Sequence, residues 1–302
     1  MSWPFIKKSP SGKGGAIINI INNIREMQIF SDRSRKMGRR IAFVPTMGFL
    51  HKGHASLIRE AARHGDDVVL SIFVNPTQFA PGEDLEAYPR DFDGDRKVAE
   101  KAGANVIYFP DVKEMYGKNY QTFVELEKIP AHLCGLSRPV HFRGVATVVT
   151  KLFNIVKPHT AVFGQKDYQQ LLLIRQMVRD LNFDIEIIGG PIVREPDGLA
   201  MSSRNTYLSP AHRRQALCLY QSLQKAGEMV STGVRDAAEI SAAAKAIIKT
   251  CPDAQIDYIA LCNPETLENI SDIKGQVLMA LAVKIGNTRL IDNMLLNTES
   301  GT

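Results

Sequence analysis

The chain has 302 residues, 44% of them hydrophobic and 23% charged, which is enough to bury a sizeable core and more than one domain usually holds. A formal charge of +5, from 37 basic and 32 acidic residues, is too small for a protein built around nucleic acid. The basic run Arg33, Arg35, Lys36, Arg39 and Arg40 has no interleaved aromatic residues and reads as a solvated face. Cys134, Cys218, Cys251 and Cys262 form no C-x-x-C pair, so the cysteines suggest neither a disulfide framework nor a zinc site, and they fit a reducing cytoplasm.

In chain order, the first fifteen residues lack a long apolar stretch, match neither a secretory signal nor a membrane span, and read as an N-terminal extension. Apolar runs follow at 41–44, 68–74, 106–109, 161–163 and 185–188, mostly separated by amphipathic segments of helical length. That alternation predicts an α/β domain with a Rossmann-like, doubly wound parallel sheet, whose ligands gather beyond the carboxyl ends of the strands. After Pro191 the character changes: helical periodicity over 210–230 and 237–248 precedes strand-like runs over 256–262, 277–283 and 288–291. The last two flank Gly286-Asn287, which suits a tight hairpin turn. The expected organisation is therefore an extension at 1–15, a nucleotide-binding domain at 16–192 and a smaller α+β domain at 193–302.

The polar clusters fall where such a sheet places its ligands. His51 and His54 share one face of a helical first turn, and Gly53 between them lets a ligand approach the backbone. The partial positive charge of a helix N-terminus favours a polyphosphate there. A cap or a metal pair are the other readings, although H-E-x-x-H zinc spacing is absent. Asn75 and Gln78 end the second strand and can donate to a carboxylate or hydroxyl, with the turn-rich stretch around Gly82 as a moving lid. Asp91, Asp93 and Asp95 can supply one magnesium ligand or simply start a helix. Lys166 and Asp167, after the fourth run, suit a nucleotide phosphate and a ribose hydroxyl, and Gln170 lies one turn further on. Ser202, Ser203 and Arg204 can neutralise a leaving pyrophosphate or merely cap a helix. No Ser/His/Asp triad is supported, so no covalent nucleophile is required.

These segments resemble the His-x-Gly-His superfamily of nucleotidyl-transferring enzymes, and within it the pantothenate synthetase family. The resemblance is carried by Pro45-Thr46-Met47-Gly48 with His51 and His54, Val74-Asn75-Pro76-Thr77-Gln78-Phe79, Tyr88-Pro89-Arg90, Arg138-Pro139-Val140-His141-Phe142-Arg143-Gly144-Val145, the stretch 164–170 and Met201-Ser202-Ser203-Arg204-Asn205. It implies ATP-dependent condensation of pantoate with β-alanine through a pantoyl adenylate, releasing AMP and pyrophosphate, in a cytoplasmic homodimer without nucleic-acid or membrane partners. It further implies that His51, His54, Lys166, Ser202, Ser203 and Arg204 act on the moving charge. Met47, Gly53, Gly164, Asp167, Val193 and Met201 would join them around ATP, Pro45, Met47, Asn75, Gln78 and Gln170 would hold pantoate, and Asp95 would bind magnesium. Gly94 replaces a second acid found in some members, and Cys134 stands where many carry glutamate. The apolar stripe of 144–156 reads equally as a dimer face or a core face.

Overall fold

The computed structural model describes residues 18–298; the expected extension at 1–15 lies outside them. Nine strands and ten helices follow in the order β1 (Asn19–Ile21), α1 (Ile24–Lys36), β2 (Ile41–Thr46), α2 (Lys52–Ala61), β3 (Asp67–Ile72), α3 (Phe92–Ala102), β4 (Val106–Tyr108), α4 (Val112–Met115), α5 (Cys134–Ser137), α6 (His141–Val156), β5 (Thr160–Gly164), α7 (Tyr168–Asp180), β6 (Glu186–Gly190), α8 (Pro210–Gln215), α9 (Cys218–Ser231), α10 (Ala237–Lys249), β7 (Ala254–Cys262), β8 (Gln276–Ile285) and β9 (Thr288–Asn297). The first six strands form one parallel sheet in the order β1-β4-β3-β2-β5-β6. Every residue of β3 and the first four of β2 are buried, as a sheet covered by helices on both faces requires.

This order positions the site. From β2 the chain steps outward through β3 to β4, then returns through α4, α5 and α6 to place β5 on the other side of β2. The direction of winding reverses between β2 and β5, so the loops leaving their carboxyl ends diverge and open a crevice. Those loops carry His51 and Lys166. Strands β7, β8 and β9 form a separate antiparallel sheet, and Leu219, Leu223, Ile240 and Ile248 of α9 and α10 share a second core with its Leu281 and Val283. The β8–β9 turn is at Gly286-Asn287, with Gly286 at φ +55°.

The structure adds one strand, alters two expected elements and resolves one open reading. The three-residue β1, which pairs in parallel with β4, is too short to leave a periodic signal. The single helix expected over 210–230 divides into α8 and α9, because the amides of Leu217 and Leu219 bond three residues back rather than four. Strand β9 extends to Asn297, past the expected end at 291, because Asp292 and Asn293, polar but buried, continue the ladder with β8. The stripe of α6 resolves as core: Val145, Val148, Val149, Leu152, Phe153 and Val156 are each at most 6% exposed, in a helix packed on α1, α7 and β2. Those side chains are consumed inside one chain and are not a dimer face.

Candidate active site

A cleft of about 920 Å³ opens at the carboxyl ends of β2 and β5 and is closed from the other side by β9 and the loop before α8. Pro45, Met47, His51, Gly53, His54, Asn75, Gln78, Gly164, Lys166, Asp167, Gln170, Val193, Met201, Ser202, Ser203 and Arg204 all line it. Of the site residues expected from sequence, Asp95 alone is missing from its wall.

The two histidines are fixed by their own helix start. His51 is the N-cap of α2; its Nδ1 accepts the Gly53 N–H at 3.1 Å, and Nδ1 of His54 accepts the His51 N–H at 3.3 Å. With both Nδ1 atoms accepting, the proton of each neutral ring is on Nε2, so each ring keeps one N–H donor at the capped start of α2. The rings lie 4.1 Å apart between centroids. Glycine is required between them, because a Cβ on Gly53 would be 2.8 Å from the His51 ring.

Burial and the neighbouring Lys166 charge lower His51 to about 4, and burial with the His51 and Lys166 charges pushes His54 well below its usual range. Both imidazoles are therefore neutral at physiological pH and present N–H groups rather than charges. An NMR titration of the ligand-free protein is expected to show His51 changing charge at about 4, not at 6.5. The sign for stability follows: the contribution is complete above 6.5 and is lost as pH falls toward about 4, since the unfolded chain takes up the proton first. A midpoint at 6.5 in the folded protein would contradict the burial argument.

Opposite the histidines, Gln78 is 7% exposed and its Oε1 accepts from Asn75 Nδ2 at 3.1 Å. The other Asn75 amide hydrogen goes to Gly144 O, also at 3.1 Å, and its Oδ1 accepts from Tyr116 Oη at 2.8 Å. Asn75 thus borders the cleft with both N–H donors already engaged, one on Gln78 and the other on the Gly144 carbonyl. The backbone carbonyl of Gln78 meets His141 Nδ1 at 3.0 Å and Arg138 Nη2 at 3.4 Å. Arg138 is also paired with Glu83 through two contacts, at 2.6 and 2.7 Å. Sequence reasoning quoted the Arg138 and His141 motif without giving either residue a role.

Lys166, in the turn between β5 and α7, forms no ion pair among the described residues, leaving a cation facing the histidines. Its main chain is held from the small sheet: Asn293 Nδ2 donates to the carbonyls of Gln165 at 3.0 Å and Lys166 at 2.9 Å. The adjacent Asp292, 2% exposed, takes both ends of Arg194, at 2.5 and 2.9 Å. Sequence reasoning missed this pair, and its signal was two polar residues interrupting an apolar strand. In the loop before α8, Ser202 Oγ accepts from Arg204 N at 3.3 Å, while Ser203 Oγ donates to Phe49 O at 3.2 Å. Arg204 is bidentate with Asp84, both contacts at 2.9 Å, so the turn-rich stretch after Gly82 is tied to the loop before α8.

Asp95 faces elsewhere. It is 3% exposed, and its two oxygens accept the N–H groups of Phe49 at 2.9 Å and Leu50 at 2.5 Å. Two N–H dipoles aimed at a carboxylate oppose a cation there, and Asp95 lies off the cleft wall. Asp95 therefore does not fit a magnesium ligand. Asp91 caps α3 by accepting the Gly94 N–H at 3.0 Å, so the helix-start reading holds for this stretch.

A switch-point crevice carrying a His-x-Gly-His helix start, a lysine without an ion pair among the described residues and a hydroxyl-rich loop is the anion-binding arrangement of a doubly wound α/β protein. Residues 19–295 match the family model for pantoate-beta-alanine ligase. The chain is 63% identical over 279 residues to the pantothenate synthetase of Desulfatibacillum aliphaticivorans, covering 92% of this chain and 99% of that one. It is 56% identical to the pantothenate synthetase of Thermotoga petrophila, with 92% and 100% covered. Among solved structures, the pantothenate synthetase of Thermus thermophilus superposes with a TM-score of 0.88 at 44% identity, over 92% of this chain and 99% of that one. A Francisella tularensis pantoate-beta-alanine ligase, complexed with beta-gamma ATP and beta-alanine, gives 0.77 at 34% identity over 94% and 99%. The chain belongs to the pantoate-beta-alanine ligase family, and is thus a ligase of pantothenate biosynthesis.

Proposed function

We propose that this chain forms pantothenate in two steps within the crevice between β2 and β5. The pantoate carboxylate attacks the α-phosphorus of ATP in line; the bond to the bridging oxygen breaks, and its electron pair leaves with pyrophosphate. The β-alanine amine then attacks the acyl carbon of the pantoyl adenylate, the acyl–oxygen bond breaks, and AMP leaves as the amide forms. The observation that carries this reading is the convergence of two Nε2–H donors from His51 and His54 with the unpaired ammonium of Lys166 on one wall of the cleft. These groups are in place before charge develops on the departing pyrophosphate, which is what makes them effective.

On this reading Met47, Gly53, Gly164, Asp167, Val193 and Met201 border ATP with the histidines and Lys166. Ser202, Ser203 and Arg204 close over its phosphates, Arg204 exchanging Asp84 for phosphate. Pro45, Met47, Gln78 and Gln170 hold pantoate, with Asn75 steadying Gln78; neutral amides suit a hydroxy acid better than a phosphorylated substrate, which usually recruits arginine or lysine. Magnesium entering with ATP would add charge neutralisation at the phosphates, and Asp95 is not among the residues that would hold it. The division at 192/193 separates the part that carries the two histidines, Lys166 and the pantoate amides from the part that brings Val193 and the Met-Ser-Ser-Arg loop to ATP. A cytoplasmic homodimer completes the reading; four free cysteines suit a reducing compartment. No helix among the described residues is long and apolar enough to cross a membrane.

The test is incubation of the purified chain with ATP, magnesium and pantoate, with and without β-alanine, following AMP, pyrophosphate and pantothenate by mass spectrometry. Pantoate-dependent pyrophosphate release and β-alanine-dependent pantothenate are expected. Folded protein that releases pyrophosphate without pantoate, or not at all, would overturn the reading.

A further inference from the structure

The backbone between β2 and α2 turns through two left-handed residues, Gly48 at φ +84° and Phe49 at φ +52°. Phenylalanine avoids this region, so something outside the turn must hold it. Two groups do so from opposite sides. Below, the Asp95 carboxylate on the first turn of α3 receives the Phe49 and Leu50 amides at 2.9 and 2.5 Å. Above, the Ser203 hydroxyl donates to the Phe49 carbonyl at 3.2 Å. The fit against Asp95 is close: a Cβ on Gly48 would be 2.9 Å from Asp95 Oδ2. Leu50 leads directly into His51, so whatever fixes the turn also fixes where the two Nε2–H donors point.

We infer that Asp95 is a positioning residue, which locks the left-handed turn that aims His51 and His54 and presents the Phe49 carbonyl to the Met-Ser-Ser-Arg loop, and that it is not a magnesium ligand. The inference rests on the reading that this turn holds the ATP phosphates. Its chemistry is specific to a carboxylate: an amide at this position keeps one acceptor oxygen and turns an NH₂ toward the second backbone donor.

The experiment is single-turnover pyrophosphate release by the full chain and by Asp95→Asn, with saturating ATP and pantoate, across a magnesium titration. A positioning role predicts a rate lower by about tenfold to a hundredfold, as a displacement on the order of 1 Å of a catalytic group produces. It also predicts a full amplitude of pyrophosphate per chain and a half-saturating magnesium concentration unchanged within about twofold. A magnesium ligand predicts the reverse, a half-saturation point raised about tenfold or more with the rate restored at high magnesium, and that result would overturn the inference. So would an unchanged rate, or a loss of amplitude without a loss of rate, which a merely structural role produces. Should Asp95→Asn fail to fold, Gly48→Ala strains the same contact from the loop side and must show the same pattern. Absence of pantoate-dependent release by the unsubstituted chain would instead remove the underlying reading, and this inference with it.

Discussion

Lys166→Ala and His51→Ala are each expected to slow adenylate formation by about two orders of magnitude or more, the loss typical when a preorganised donor to a developing charge is removed. The two act differently. On the proposed mechanism Lys166 supplies a full positive charge to the polyphosphate, and it forms no ion pair among the described residues. His51, neutral because burial and the Lys166 charge lower it to about 4, supplies an oriented N–H in a partly dry site. Removal of the His51 ring also strips the Gly53 amide of its acceptor, so part of the loss in that variant comes from a loosened helix start. Single-turnover pyrophosphate release with saturating ATP and pantoate measures the effect. Near-normal rates in both variants would refute the roles given to them.

Gly144→Ala is expected to lower thermal stability and to weaken pantoate binding by about tenfold or more. Helix α6 crosses the Pro76–Gln78 turn so closely that a Cβ on Gly144 would be 2.5 Å from the Thr77 carbonyl carbon and 2.6 Å from Gln78 Cα. Both obstacles are backbone and cannot swing aside. Alanine is the better helix former by roughly 1 kcal/mol, but overpacking of this kind costs about 1–3 kcal/mol, and the penalty wins. The turn that must yield carries Gln78, and Asn75, which orients Gln78, also bonds the Gly144 carbonyl. Thermal unfolding and the pantoate KM measured together decide the matter: a variant as stable as the parent with unchanged KM would show that the turn accommodates the methyl group.

Much of the site was legible because its parts are local. The apolar runs that became β2 and β5 end in polar clusters, and the rule that ligands gather at strand carboxyl ends picks out His51, His54, Lys166 and Gln170 without knowledge of the pairing. The Gly286-Asn287 hairpin was legible for the same reason, since a turn of that kind is encoded in two adjacent residues. Periodicity along α6 was equally clear but ambiguous, because an apolar stripe states that a face is covered and not by what. Packing on α1, α7 and β2 resolved it as core.

What the tertiary structure alone decided concerns groups that meet across long stretches of chain. Asp292 and Asn293 look like the end of a strand in sequence, yet Asn293 reaches carbonyls 127 and 128 residues away and Asp292 a guanidinium 98 residues away. Asp95 looks like a metal ligand until the fold turns its carboxylate under a loop 45 and 46 residues earlier. The proton on Nε2 of each histidine follows from backbone donors whose direction exists only once α2 has formed. By itself, then, the sequence determined which chemistry the crevice carries, through residue types and turn signals acting over a few positions. The strand order and the packing of two sheets decided which of those groups line the cleft and which hold the others in place, because burial and hydrogen-bond partnership depend on neighbours in space.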